Sequence, residues 1–145
     1  MANTTSNTSP EAKAPKLAFE PMKSTHKDHQ PIEDGAFLVL RNVESPNPYI
    51  KKGDSKYLRT GVKLVVPEGY LCAVADRRVH GSSFMLYNVQ FLTPGTSGEV
   101  SILCGAGHIG DRNVRMGEEI GVAWLVKTDG AAKRPEPKTE KDENK

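Results

Sequence analysis

Large apolar residues are scarce in this chain of 145 residues, and no apolar run extends beyond a few positions. Only 37% of the residues are hydrophobic, against roughly 45–50% in a typical compact domain, so part of the chain is expected to lie outside any core. Nothing approaches the ~20 consecutive apolar residues that span a bilayer, which excludes a helical membrane protein. The stretch Met1–Pro10 is rich in Asn, Thr and Ser and has neither the basic start nor the apolar centre of a secretory signal. Cysteine is limited to Cys72 and Cys104, and without an export signal this favours a reducing compartment such as the cytoplasm. A basic excess is also missing. Twenty Lys and Arg face eighteen Asp and Glu, for a net charge of +2, which argues against general nucleic-acid binding. There is no Gly-x-Ser-x-Gly turn, no Gly-rich loop ending in Lys-Ser/Thr and no clustered carboxylates. The chain therefore lacks the sequence signatures of a nucleophilic hydrolase, a phosphate-cradling loop and a divalent metal site, and no cofactor or metal is expected.

The composition shifts twice along the chain. Residues 1–34 carry four prolines and few large apolar residues, chiefly Leu17, Phe19, Met22 and Ile32. Such a segment buries too little surface to offset its ordering entropy, so it reads as a flexible arm. Leu17, Phe19 and Met22 are candidates for docking that arm on a partner or a neighbouring subunit. Residues 127–145 alternate in charge, contain two prolines and have no aromatic residue, and read as a disordered tail. Between them, residues 35–126 show β patterning throughout. Short apolar segments at Ala36–Leu40, Gly61–Val66, Tyr70–Ala75, Phe84–Phe91, Val100–Cys104 and Ile120–Val126 are separated by Pro- and Gly-containing turns. No window carries a capped helical stripe. Strands at this spacing predict an all-β sandwich, jelly roll or small barrel. A core this small has strand edges that need covering, which predicts a symmetric homo-oligomer.

Few residues carry a chemical signal. His26 and His29 form an H-x-x-H pair with no further ligands at zinc-like spacing, and read as solvated. His80 and His108 stand alone between strands. Cys72 and Cys104 lie in expected strands without an adjacent base, and read as buried thiols. Asp76-Arg77-Arg78 follows an apolar strand and leads into His80-Gly81-Ser82-Ser83. Two adjacent arginines at a strand end can offer donors to phosphate or carboxylate. They can equally form a solvated loop with an internal Asp–Arg pair.

In chain order, Lys51-Lys52-Gly53-Asp54, Arg59-Thr60-Gly61-Val62-Lys63-Leu64 and Val66-Pro67-Glu68-Gly69-Tyr70 resemble the scaffold of the trimeric dUTPase family. Val74-Ala75-Asp76-Arg77-Arg78, Gly98-Glu99-Val100 and Gly117-Glu118-Glu119-Ile120 follow at the spacing that family uses. The resemblance covers Gly35 to Val126. It implies a dUTPase-like jelly-roll or β-sandwich fold and a homotrimer with clefts where subunits meet.

The resemblance also implies where chemistry is lost. The first motif's aspartate has no counterpart in Gly35-Ala36-Phe37-Leu38-Val39-Leu40. The second motif, Pro-Arg-Ser, reads Asp76-Arg77-Arg78, so only Arg77 is kept. In the third, Thr93 stands near the place of the acid that orients water and Thr96 at that of the sugar-stacking tyrosine, while Gly98-Glu99 is retained. In the fourth, an arginine becomes Glu119 and a glutamine Val122. The Gly-rich C-terminal motif is absent from the charged tail. A threonine hydroxyl is too weak a base to replace a carboxylate, and Glu119 places negative charge where the family binds triphosphate and magnesium. The reading that follows is a non-enzymatic trimer with a structural or interaction role. A virus is the expected source, with the protein in a virion or the cytoplasm and a larger assembly such as a capsid as partner. The alternative is a protein that sequesters nucleotide through Arg77, Arg78, Thr93 and Gly98. An active dUTP pyrophosphatase is the third.

Overall fold

The computed structural model describes residues 15–107 and 110–128. These form eleven strands and a single 3-10 turn at Lys27–His29. The strands are β1 (Ala18–Pro21), β2 (Ile32–Asp34), β3 (Phe37–Arg41), β4 (Tyr49–Ile50), β5 (Ser55–Arg59), β6 (Val62–Val65), β7 (Tyr70–His80), β8 (Ser83–Leu92), β9 (Ser101–Gly105), β10 (Arg112–Asn113) and β11 (Glu119–Lys127). One layer is an antiparallel sheet in the order β2-β3-β11-β7-β8. The other is built from the pairs β1–β6, β5–β9 and β4–β10.

Period-two alternation decides which side chains enter the space between the layers. From the five-stranded sheet come Leu38, Leu40, Cys72, Val74, Ile120 and Ala123; opposite them lie Ile50, Leu58, Val62, Leu64, Ile102 and Val114. Burying each Leu, Ile or Val here contributes about 1.5–3 kcal/mol of transfer free energy. Gly121, on β11 opposite Asp76, fits only because it has no side chain: a Cβ there would lie 2.5 Å from the carbonyl oxygen of Ala75.

The sheet's other face is apolar too. Val39, Ala73, Ala75 and Val122 are buried but stand outside the inter-layer core. They are covered by the face's own large side chains, with Phe37 edge-on to Trp124 at 5.6 Å and to Phe84 at 6.4 Å. Beyond this cluster Val79 and Phe91 remain 68% and 59% exposed.

All six segments expected as strands are strands. β4, β5 and β10 are additional: two are only two residues long, and β5 (SKYLR) buries a single side chain, Leu58. The larger difference concerns residues 1–34. Residues 1–14 lie outside the described residues, but from Lys16 onward the segment belongs to the domain. β1 pairs with β6 and β2 with β3. Leu17 and Phe19 pack against the core, and the Met22 N–H donates to the carbonyl of Gly61 at 2.8 Å. Thr25 donates its hydroxyl to the same carbonyl at 2.7 Å. Leu17 and Phe19 therefore dock on their own domain, and Met22 is held there through its backbone, rather than forming a free triplet. Counting apolar residues underestimates such a segment, because an edge strand gains its order from backbone pairing as well as burial. At the other end Lys127 closes β11, and the backbone of Thr128 donates to Gly69 at 2.9 Å. The rest of the expected tail, residues 129–145, lies outside the described residues.

Candidate functional site

β7 and β8 form a long hairpin turned at Gly81 and Ser82, with His80 opposite Ser83. It outruns its neighbour β11, whose pairing with β7 ends at Gly121–Asp76. Asp76-Arg77-Arg78 is thus strand, not loop. Alternation sends Asp76 and Arg78 to one face and Arg77 to the other.

Asp76 is completely buried and fully engaged. It accepts from Arg78 Nε at 2.9 Å, Arg112 Nη1 at 3.0 Å and the backbone N–H of Gly105 at 3.1 Å. Arg78 also stacks over Tyr87, 3.9 Å from the ring centroid. Its Nε is thus committed to a carboxylate of its own chain. Of the two readings left open by the sequence, the internal Asp–Arg pair holds for Arg78. Arg112, 36 residues from Asp76, completes the cluster, and nothing local in the sequence signals it.

Arg77 lines a different place. On the outer face of the five-stranded sheet, Asp34, Gly35, Ala36, Phe37, Arg77, Phe84 and Val122 enclose a cleft of about 320 Å³. Arg77 lies under Phe84, 4.7 Å from its centroid, and 3.9 Å from Glu119 at the rim. Three of the family-like motif positions therefore converge: the first-strand segment, Arg77, and the Glu119–Val122 stretch. The walls are hydrocarbon. The charged lining residues are Arg77 and Asp34, with Glu119 beside Arg77 and Arg41 opposite Glu119 in register. A triphosphate brought here would meet a single lining cation, already shared with Glu119, and the Asp34 carboxylate beside it, and like charges at short range repel.

Thr93 and Gly98 sit elsewhere. Thr93 follows Leu86, the register partner of Arg77, by seven positions, about 23 Å at ~3.3 Å per residue. Within one chain they do not join Arg77 in a site. The Thr93 carbonyl accepts from the Thr96 backbone N–H at 3.1 Å and its hydroxyl at 2.6 Å, closing a turn. The retained Glu99 has a structural task. Its carboxylate accepts from Arg59 Nε at 3.1 Å and from the N–H of Gly61 at 2.8 Å, clamping the turn between β5 and β6, where Gly61 has a φ of +73°.

The remaining candidates are quiet. Burial pushes the thiol of Cys72 up to about 11. Burial and the nearby Asp76 carboxylate push that of Cys104 up to about 12. His26 and His29 hold their rings 5.6 Å apart, with the His26 Nδ1 accepting from the Asp28 N–H. Among the described residues no group of three or more His, Cys, Asp or Glu is placed to hold a metal. His80 faces Tyr87 on the hairpin, and His108 lies outside the described residues.

No protein-family model and no curated protein matches the chain. Solved structures do. A point mutant of the dUTPase from phage phi11 of S. aureus is 12% identical, with 86% of this chain covering 98% of that one at a TM-score of 0.62. A point mutant of the Staphylococcus bacteriophage 80alpha dUTPase, from work on phage dUTPases that control transfer of virulence genes, is 15% identical over 86% and 97% of the two chains, with a TM-score of 0.62. The native EIAV dUTPase is 18% identical over 85% and 99%, with a TM-score of 0.60. The chain has the dUTPase fold.

Proposed function

We propose that this chain is a non-enzymatic, self-associating protein that uses the dUTPase fold for a structural or interaction role. The observation that carries this reading is the cleft beside Arg77. Its walls are Phe37, Phe84 and Val122, and its guanidinium lies 3.9 Å from Glu119, with Asp34 also in the lining. Phosphoryl chemistry needs a held electrophile, compensated charge and a carboxylate aimed at water. Here the one lining cation is already shared with Glu119, and by the resemblance a hydroxyl, Thr93, stands near the place of the family's water-orienting acid.

Self-association draws on the sheet face around Phe37, Trp124 and Phe84, with Val79 and Phe91 exposed beyond it. The resemblance to trimeric dUTPases suggests threefold symmetry. A viral source, a place in the virion or cytoplasm and docking on a larger assembly such as a capsid belong to the same proposal. The phage and EIAV proteins among its structural neighbours support it. So do the phage dUTPases that control transfer of virulence genes.

The test is a pyrophosphate-release assay with dUTP and magnesium alongside native mass spectrometry. The expected result is no turnover above buffer and a mass that is a multiple of three 15.8 kDa chains. Turnover at enzymatic speed, or a stable single chain, overturns the proposal. A second reading, nucleotide capture without hydrolysis, is favoured by Arg77 alone. Calorimetry with deoxynucleotides tests it, and heat-silent titrations at millimolar ligand would reject it.

A further inference from the structure

The five-stranded sheet has two unlike edges. One is β2, three residues long and carrying Glu33 and Asp34. Short length and charge are the usual means of keeping an edge from pairing with another chain. The other edge is β8, ten residues reading SFMLYNVQFL. It has no charged residue, no proline and no glycine, and Phe84, Met85, Val89 and Phe91 on it are exposed. An uncovered strand of that composition is a template for strand pairing.

We infer that the outer edge of β8 pairs with β8 of a second copy, Ser83–Tyr87 running antiparallel to its equivalent about a twofold axis at Met85. Three observations select a second copy as the occupant. An uncharged strand meets itself without like-charge repulsion, which otherwise destabilises directly opposed residues. The arginines one strand inward are balanced within their own chain, Arg78 by Asp76 at 2.9 Å and Arg77 by Glu119 at 3.9 Å. Residues 1–14 and 129–145 hold no large apolar side chain except Met1, so neither can supply a matching strand.

The register follows from the bulge. Val74 faces Gln90 and Asp76 faces Tyr87, leaving Asn88 and Val89 opposite Ala75. Asn88 takes a φ of +54° and donates its side-chain amide to the carbonyl of Leu103 at 2.9 Å. The straight part of the edge is therefore Ser83–Tyr87, and Met85 is its centre. Pairing there sets Met85 against Met85 of the second copy on one face and Phe84 against Leu86 on the other. The inference goes beyond the proposed function, because a twofold contact joins trimers into pairs.

Met85→Cys tests it on the full chain. Directly opposed antiparallel residues bring their Cα atoms to about 4.5–5.5 Å, within disulfide reach. Mild oxidation should yield covalent pairs of chains on a non-reducing gel, with Cys72 and Cys104 silent because they are buried. Leu86→Cys alone should stay unlinked, and should link when mixed with Phe84→Cys. Met85→Lys should halve the native mass from six chains to three. Cross-linking of Met85→Cys no faster than at an exposed control, Ser97→Cys, overturns the inference, as does an unchanged mass for Met85→Lys. A wild-type mass of three chains rejects this edge and leaves the proposed function standing. A mass of two chains supports the edge and rejects the trimer.

Discussion

Removing the Asp76 carboxylate should be among the most damaging single changes in the domain. The side chain is wholly buried and receives three donors at 2.9, 3.0 and 3.1 Å. Asp76→Ala strands two guanidinium groups near one another and leaves the Gly105 N–H unpaired. Breaking a buried ion pair by deleting one partner costs about 3–5 kcal/mol. The side chains of Arg78 and Arg112 keep 20% and 18% exposure, so water recovers part of their solvation and about 3 kcal/mol is appropriate. An orphaned buried N–H adds about 1 kcal/mol. A total of ~4 kcal/mol, with an m-value of ~1–3 kcal/mol per molar urea, lowers the urea midpoint by roughly 2 M. Urea titration followed by Trp124 fluorescence at one fixed protein concentration measures it. Asp76→Asn keeps an acceptor for Gly105 and should fall between wild type and Asp76→Ala. A loss under ~1 kcal/mol for Asp76→Ala, with m unchanged, would refute the claim that this cluster holds β7, β9 and β10 together.

Cys72 and Cys104, pushed up to about 11 and about 12, should resist a thiol-specific disulfide reagent at pH 8, where roughly one Cys72 in a thousand is thiolate; labelling within minutes in the native state would contradict their burial. Glu99→Ala removes both the Arg59 and Gly61 contacts and should cost about 1.5–3 kcal/mol, seen as a lower urea midpoint, while Glu99→Gln retains more of the turn. The Tyr49 hydroxyl donates to Asp111, holding the phenol above and the carboxyl below their ordinary ranges. Asp111→Asn should therefore move the Tyr49 component of the tyrosinate absorbance to lower pH. Stability from the Asp111 side is present above the ordinary carboxylate range and lost as pH falls through it; that from Tyr49 is present below the ordinary phenol range and lost as pH rises.

The six apolar strands were legible because their period is local: Val, Leu and Ile between Pro- and Gly-containing turns suffice. The resemblance to dUTPases was legible in motif order, and the shared fold agrees with it despite identities of 12–18%. What depended on distant partners was not legible. β1 and β2 look unstructured alone, and their order comes from hydrogen bonds to β6 and β3. Arg78 looks like a free cation until Arg112 and Gly105 are folded against the same carboxylate. Nothing local in the sequence sends Phe37, Phe84 and Trp124 to the outer sheet face, and only the strand order brings Phe37 and Phe84 beside Arg77. Glu99 reads as a retained family motif residue, whereas its hydrogen bonds tie down the turn between β5 and β6.

The integration of residues 16–34 bears on how this protein should be shortened. A truncation beginning at Gly35 strips away β1 and β2 and lays bare the backbones of β6 and β3. Preparations made that way would present two fresh sticky edges, and any change in their binding would report a damaged sheet instead of a missing tether. A tag or fluorophore joined ahead of Pro15 leaves those strands in place.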